Sequence, residues 1–376
     1  MRLTLERSFR VHAAPPDDPR GHACEPRITR LADGAILLAF RTGTGRATPD
    51  GSPRLLRSTD EARSWEDLGT PFRDRPEARG GDLRGCALAP LPDGGVLACI
   101  VWLDRTDPAR PIYHPETEGL TTVRNLLARS DDGGRTWSSL DDLESGVPQA
   151  ASQGLLALPD GTLFATFETF KAYDEPGRWV YRGGLVRSTD AGRSWGDVVF
   201  SAVMSEAGTM WWDPRIARLP DGTLVQLYYA YEHDRGGESP VHLGRSGDGG
   251  RTWSTPVPTT LTGQASFPIA FPGGALLAFT QRRDASQSMV AALSPDGGHT
   301  WGDATTVYQH DAPSAPGAAA GQAPIDYLVS MDRFTFGHPC GVALDDRRAL
   351  LVWYAGGTQR TAIQGAIVAL EPGGDA

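Results

Sequence analysis

Lysine is almost missing from this chain: Lys171 is the single one among 36 Lys and Arg, an imbalance read as a trace of genomic base composition rather than of function. Cysteine is scarce too. Four residues (Cys24, Cys86, Cys99, Cys340) in 376 are too few for a disulfide scaffold, which fits a reducing compartment. No stretch approaches the ~20 apolar residues needed to cross a membrane. The first residues, MRLTLERSFRVHAAPPDDPR, contain no apolar run behind a basic cap. Positive charge is in deficit, with a net charge of −10, which argues against a nucleic-acid partner whose phosphates need a basic face. The expectation is a cytoplasmic protein with no membrane and no nucleic-acid partner.

Turn residues, by contrast, are plentiful, with 45 Gly and 29 Pro, and one motif recurs five times. RSTDEARSW begins at Arg57, RSDDGGRTW at Arg129, RSTDAGRSW at Arg187, RSGDGGRTW at Arg245 and LSPDGGHTW at Leu293. The shared form is Ser-x-Asp-x-Gly-x-Ser/Thr-Trp. Its Asp can accept hydrogen bonds from turn amides, its Gly supplies positive φ, and its Trp packs back beneath the turn. Ala62 replaces the Gly in the first copy, which predicts a looser turn there. Five copies at spacings of roughly 50 to 70 residues mark a repeat protein. They resemble the Asp-box repeats of the sialidase superfamily, which join the third and fourth strands of each propeller blade, far from the catalytic face.

A second unit precedes each box: an apolar strand, a Leu-x-Asp-Gly-like turn and another apolar strand. It reads RITRLADGAILLAF, CALAPLPDGGVLACIVW, GLLALPDGTLFATF, RIARLPDGTLVQLYY, FPIAFPGGALLAF and GVALDDRRALLVWY. Such runs bounded by turn signals are hairpins. Six units predict an all-β fold, a six-bladed β-propeller of four-stranded antiparallel blades, forming a single domain over residues 1–376. The strand-like LTLERSFRVH is expected to supply the outer strand of the sixth blade, because an unpaired edge would otherwise stay exposed. Long connections near 66–82, 104–122, 171–182 and 302–335 read as loops.

If Asp-Gly turns join strands one and two while boxes join strands three and four, both lie on one face. The opposite face is then the place for chemistry. Counting back six and four residues from each turn pairs Glu25 with Arg27 and Asp213 with Arg215 in blades half a turn apart. The same register gives Gly85 and Ala87, Ser152 and Gly154, Ala265 and Phe267, and His338 and Cys340. Two carboxylates and two arginines are thus expected across the axis, as an anion site or as plain ion pairs. The second-strand ends add Arg41, Glu168, Tyr229 and Gln281, and nearby loops add Arg46, Asp50, Asp104, Arg105, His233, Arg282 and Arg283.

Sialidases hold a sialic-acid carboxylate with three arginines, attack with a Tyr activated by a Glu, and use an Asp as acid/base. The resemblance places Arg27, followed by Ile28, at their first arginine, with Thr29 in place of the expected Pro, and Asp213 nearest their Glu. Asp50 is the candidate acid/base. Tyr229 stands where the second arginine belongs, DASQSMVAALS offers no third, and His338 replaces the Tyr, leaving Tyr327 and Tyr354 as substitutes. The implied function is an enzyme acting on a carbohydrate or other polar, anionic small molecule, with glycosidic hydrolysis, retaining or inverting, by Glu25, Asp213 or Glu168 first. A lyase using His338 or a Tyr as base, and a non-catalytic sugar-binding propeller, are the alternatives. No cofactor is expected. His22, Cys24, His338 and Cys340 could form a zinc set by residue type, but their spacing is no known ligand signature.

Overall fold

Each Leu-x-Asp-Gly-like turn closes an antiparallel hairpin. In the first, Asp33 Oδ1 accepts the Ala35 amide at 2.9 Å and Gly34 sits at φ 83°, where a side chain would be strained. The result in this computed structural model, which describes residues 1–206, 208–232, 240–317 and 322–372, is a ring of six innermost strands. They are His22–Arg30, Gly81–Pro90, Ala150–Ala157, Thr209–Arg218, Gln264–Ala270 and Phe336–Ala343. Each packs against the next, and the last against the first.

Four blades are separate four-stranded antiparallel sheets; the other eight strands form one sheet. That sheet is two four-stranded halves joined by a single parallel pair, His22 with Thr361, where Thr361 Oγ1 bonds both the amide and the carbonyl of Ala23. Divided there, the fold has six four-stranded units. The outermost strand of the last is the N-terminal Arg2–His12, antiparallel to Thr361–Glu371.

The apolar core lies chiefly between blades. One cluster joins Leu37, Ala39 and Leu55 of the first blade to Leu88, Ala98 and Ile100 of the second, and another joins the fifth to the sixth. The boxes close these interfaces from the rim. In the second, Asp132 Oδ1 accepts the amides of Arg135 and Thr136 at 3.0 and 2.9 Å, and Trp137 Nε1 donates to the Gly134 carbonyl at 2.9 Å. A Cβ on Gly134 would lie 2.9 Å from Leu37 of the preceding blade, so the box glycine is a contact as well as a turn. The first box is not looser. Ala62 adopts φ 62°, and Asp60 takes the same amides of Arg63 and Ser64 at 3.0 and 2.9 Å. The buried Ala62 methyl belongs to the same apolar cluster as Leu350 of the neighbouring blade.

The long connections are not all plain loops: 66–82 holds the strand Glu66–Gly69 and a single 3-10 turn at Pro76–Ala78. The 302–335 segment contains a helix, Pro324–Ser330, with Tyr327 and Leu328 buried. Lys171 has a structural task after all: buried, it donates to the carbonyls of Thr117 and Gly177 and clips the loops of blades two and three together. Among the described residues, no helix is long and apolar enough to cross a membrane.

Candidate functional site

Every innermost strand carries a register break at the same place, facing the axis. The breaks fall at Glu25–Pro26, Arg84–Gly85, Gln153, Asp213–Pro214, Ala265 and His338–Pro339. Glu25, Asp213, Ala265 and His338 sit at φ 54°, 55°, 45° and 51°. Left-handed backbone costs a non-glycine residue about 1 kcal/mol or more, and bulges of this kind re-aim side chains beside functional sites. All six bulge side chains line one axial cavity of 410 Å³.

The bulges explain what register counting missed. Residues two apart on a regular strand share a face, but an inserted residue breaks that rule. Arg84 and Gln153 therefore reach the cavity, although the count assigned those blades Gly85 and Ser152. The Pro following Glu25, Asp213 and His338 is a sequence signal that could have marked the break.

The carboxylates are not equivalent. Burial alone would raise the Glu25 carboxyl, but its ion pair with Arg84 holds it well below the usual range. Asp213 accepts from Arg215 Nη2 at 2.9 Å. Arg215 also donates to the Gln153 carbonyl and Oε1 at 2.8 and 2.7 Å, so its fork is occupied. Of the two arginines expected to face each other, only Arg27 lines the cavity. Burial, then the charge of Arg215, pushes its pKa down to about 10.

Glu168 behaves in the opposite way. It accepts from Gln153 Nε2 at 2.6 Å, Tyr181 OH at 3.1 Å and the Asp213 amide at 3.3 Å. Three donors favour the ionised form, yet burial, followed by the Asp213 charge, outweighs them and raises the pKa to about 8. The cavity thus sets a carboxyl whose pKa burial raises beside an arginine-bound carboxylate on the adjacent blade.

The remaining candidates divide. Tyr229, Gln281, Arg105 and His338 line the cavity, as do Arg46 and Arg283. Gln281 Oε1 accepts the His338 amide at 2.7 Å, and Arg105 is bound to the carbonyls of Pro108 and Arg110 in its own loop. Arg41, Asp50, Asp104 and Arg282 are not in the lining. Arg41 is buried beneath it, on Asp82 and the carbonyls of Gly45 and Thr48. Asp50 binds the amide and hydroxyl of Thr44, Asp104 caps Thr106, and Arg282 reaches the Thr262 carbonyl at 3.4 Å. His233 lies outside the described residues. Among those described, no group of three or more His, Cys, Asp or Glu is placed to hold a metal. Cys24 and Cys340 are buried thiols whose pKa burial raises.

The cavity also has an aromatic part of its lining. Trp212 stacks on Tyr231 at 4.7 Å between ring centres and on Tyr327 at 5.8 Å, and Trp212, Tyr229 and Tyr327 all line the cavity. Such a lining offers apolar ring faces to a ligand, as aromatic rings do at concave sites generally.

A family model described as BNR repeat-like domain matches residues 111–339. A curated sialidase of Bacteroides fragilis is 25% identical over 214 residues, 53% of this chain and 36% of that protein, so this chain spans well under half its length. Among solved structures, a Hadza microbial sialidase superposes with TM-score 0.68 at 19% identity, covering 96% of this chain and 68% of that one. A Penicillium chrysogenum alpha-L-arabinanase, complexed with arabinobiose, gives TM-score 0.65 at 15% identity, covering 97% and 98%.

Proposed function

Because this chain belongs to the BNR repeat-like domain family and is a propeller of the sialidase superfamily, we propose that it is a glycoside hydrolase acting on an anionic carbohydrate in the axial cavity. The observation that carries the reading is Glu168, buried beside the Arg215-bound Asp213, with burial pushing its carboxyl up to about 8. A glycosidase needs two carboxyl groups whose environments push them to opposite protonation states. Glu168 donates its proton to the glycosidic oxygen as the carbon–oxygen bond breaks. Asp213 opposes the positive charge that develops on the sugar ring; water adds to that carbon as the product hydroxyl, and its second proton returns to Glu168.

The names of the similar proteins support the substrate class, since sialidases and an arabinanase both act on sugars. An aryl sialoside is expected to be a poor substrate, because Tyr229 occupies the place of an arginine. One observation favours a sugar-binding propeller without turnover: Glu25 and Asp213 are already held by Arg84 and Arg215.

An aryl glycoside panel of uronic acids, sialic acid and neutral sugars, each with good and poor leaving groups, tests the proposal. General acid catalysis contributes about 10²–10⁴-fold. Glu168→Gln should therefore lose turnover on that scale with poor leaving groups and far less with dinitrophenol. An equal loss across leaving groups removes Glu168 from the acid role. Sugar binding with no turnover of any member establishes the binding propeller instead.

A further inference from the structure

Where one corner of the cavity meets blades one, five and six, buried hydrogen-bond donors outnumber their acceptors. Arg283 is 2% exposed, and among the described residues its Nε, Nη1 and Nη2 are all buried without a hydrogen-bond partner. Its guanidinium lies over the Phe334 ring at 3.7 Å and the Phe336 ring at 4.8 Å. Arg46 donates through Nη1 to the Tyr354 hydroxyl and through Nη2 toward His338 Nε2 at 3.4 Å, while its Nε has no partner. With Nε2 the acceptor, the proton of a neutral His338 sits on Nδ1, which is also buried and unpartnered.

Among the described residues no carboxylate bonds either arginine, and Asp332, which also lines the cavity, is exposed to solvent. Glu25, the acidic side chain that most favours a charged His338, is bound to Arg84. Neither Arg46 nor Arg283 has an ion pair among the described residues; burial lowers the Arg283 pKa in spite of the Tyr354 hydroxyl, whereas for Arg46 burial is outweighed, first by Tyr354. Leaving a buried charge or donor unmet is expensive, so a fold keeps such a cluster where a ligand completes it. Aromatic faces and a neutral imidazole meet it.

We infer that Arg283, Arg46 and His338 form an oxyanion subsite that receives a carboxylate or sulfate group of the sugar. This rests on the reading of the cavity as the substrate site. It moves the anion from the expected Arg27–Arg215 clamp, where Arg215 is saturated, to the corner between blades five, six and one. Two cations and an N–H donor suit an anion of one or two charges; a neutral sugar leaves them unmet.

Calorimetry with glucuronate, sodium sulfate and neutral glucose, on wild type and on Arg283→Met and Arg283→Lys, tests the subsite alongside melting temperature. Losing charge-assisted contacts is worth on the order of tenfold or more in affinity. Arg283→Met should weaken glucuronate or sulfate binding at least that far while the unliganded protein melts no lower, since an unpaired buried charge has been removed. Arg283→Lys should recover part of the affinity. Preference for glucuronate over sulfate assigns a carboxylate, and the reverse a sulfate ester. Unchanged anion affinity with a lower melting temperature makes Arg283 a packing residue on Phe334 and overturns the subsite. Binding is read without turnover, so intact anion binding with no hydrolysis counts against the hydrolase alone, whereas hydrolysis with no effect of Arg283 counts against the subsite alone.

Discussion

Replacing Arg41 by alanine separates a structural arginine from a substrate-binding one. By register it belongs at the rim of the funnel. Instead its side chain is 0% exposed, as is that of Asp82, with Nε 2.9 Å from the carboxylate. Its other nitrogens donate to the carbonyls of Gly45 and Thr48 at 2.8 and 2.7 Å, so one side chain ties the loop after the second strand to the neighbouring blade. The site is tight: a Cβ at Gly51 would lie 1.9 Å from Asp82 Oδ1 and 2.2 Å from Arg41 Nε.

Removing one partner of a buried pair typically costs about 3–5 kcal/mol, because the other charge is left uncompensated. Here Asp82 would keep only Arg84, whose Nη1 is 3.5 Å away, and two carbonyls would lose a donor. Unfolding entropy for a chain of this length is about 0.8 kcal/mol/K, so Arg41→Ala should lower the melting temperature by about 5 °C. Gly51→Ala should act in the same direction by splitting the pair. The double variant Arg41→Met, Asp82→Leu should recover part of the loss, since an apolar pair leaves no charge behind. Differential scanning calorimetry reads all three. A melting temperature that holds while sugar affinity collapses would falsify the structural assignment and restore Arg41 to the binding face.

Two further perturbations test separate links. Gly134→Ala should destabilise by about 1–2 kcal/mol, because alanine at φ 93° is strained and its Cβ meets Leu37 at 2.9 Å. Ala62→Gly should stay within about 0.5 kcal/mol, since relief of strain offsets the lost buried methyl; urea unfolding reads both, and equal effects would sink the account. Glu168 has a folded pKa raised above its unfolded value, so its contribution is fully present in acid and is lost as pH rises from about 5 toward 8. The melting temperature of Glu168→Gln should accordingly gain on wild type over that range, and a constant difference would remove burial as the cause.

The architecture was legible because it repeats. Boxes and Asp-Gly turns are local devices whose chemistry lies within nine residues, and five or six copies leave the blade order little freedom. The site was less legible, because its geometry depends on a bulge that a two-residue period cannot see. Glu25, Asp213 and His338 were found because the register count lands on the break itself. Arg84 and Gln153 were missed by one position. Glu168 was reachable from its place at a strand end, but its protonation depends on burial and on Asp213, which no spacing reveals. Arg41 shows the converse error, a rim position whose side chain turns between blades to meet Asp82.

The ring order adds a constraint on how a substrate would lie. Glu168 belongs to blade three and His338 to blade six, and in a six-membered ring these are half a turn apart. The proposed acid and the proposed oxyanion corner therefore face each other across the axis, with Asp213 on blade four beside the acid and Arg46 on blade one beside the corner. A sugar whose anionic group enters the Arg283 corner must present its opposite edge to Glu168. Moving the anion one carbon along the ring would rotate the glycosidic oxygen away from that carboxyl. Position of the anion on the sugar, more than the kind of anion, should then decide turnover: 4-nitrophenyl glycosides matched for charge but carrying the carboxylate at different ring carbons should bind with similar affinity and differ in kcat, as expected when distant binding contacts set the alignment of the reacting groups.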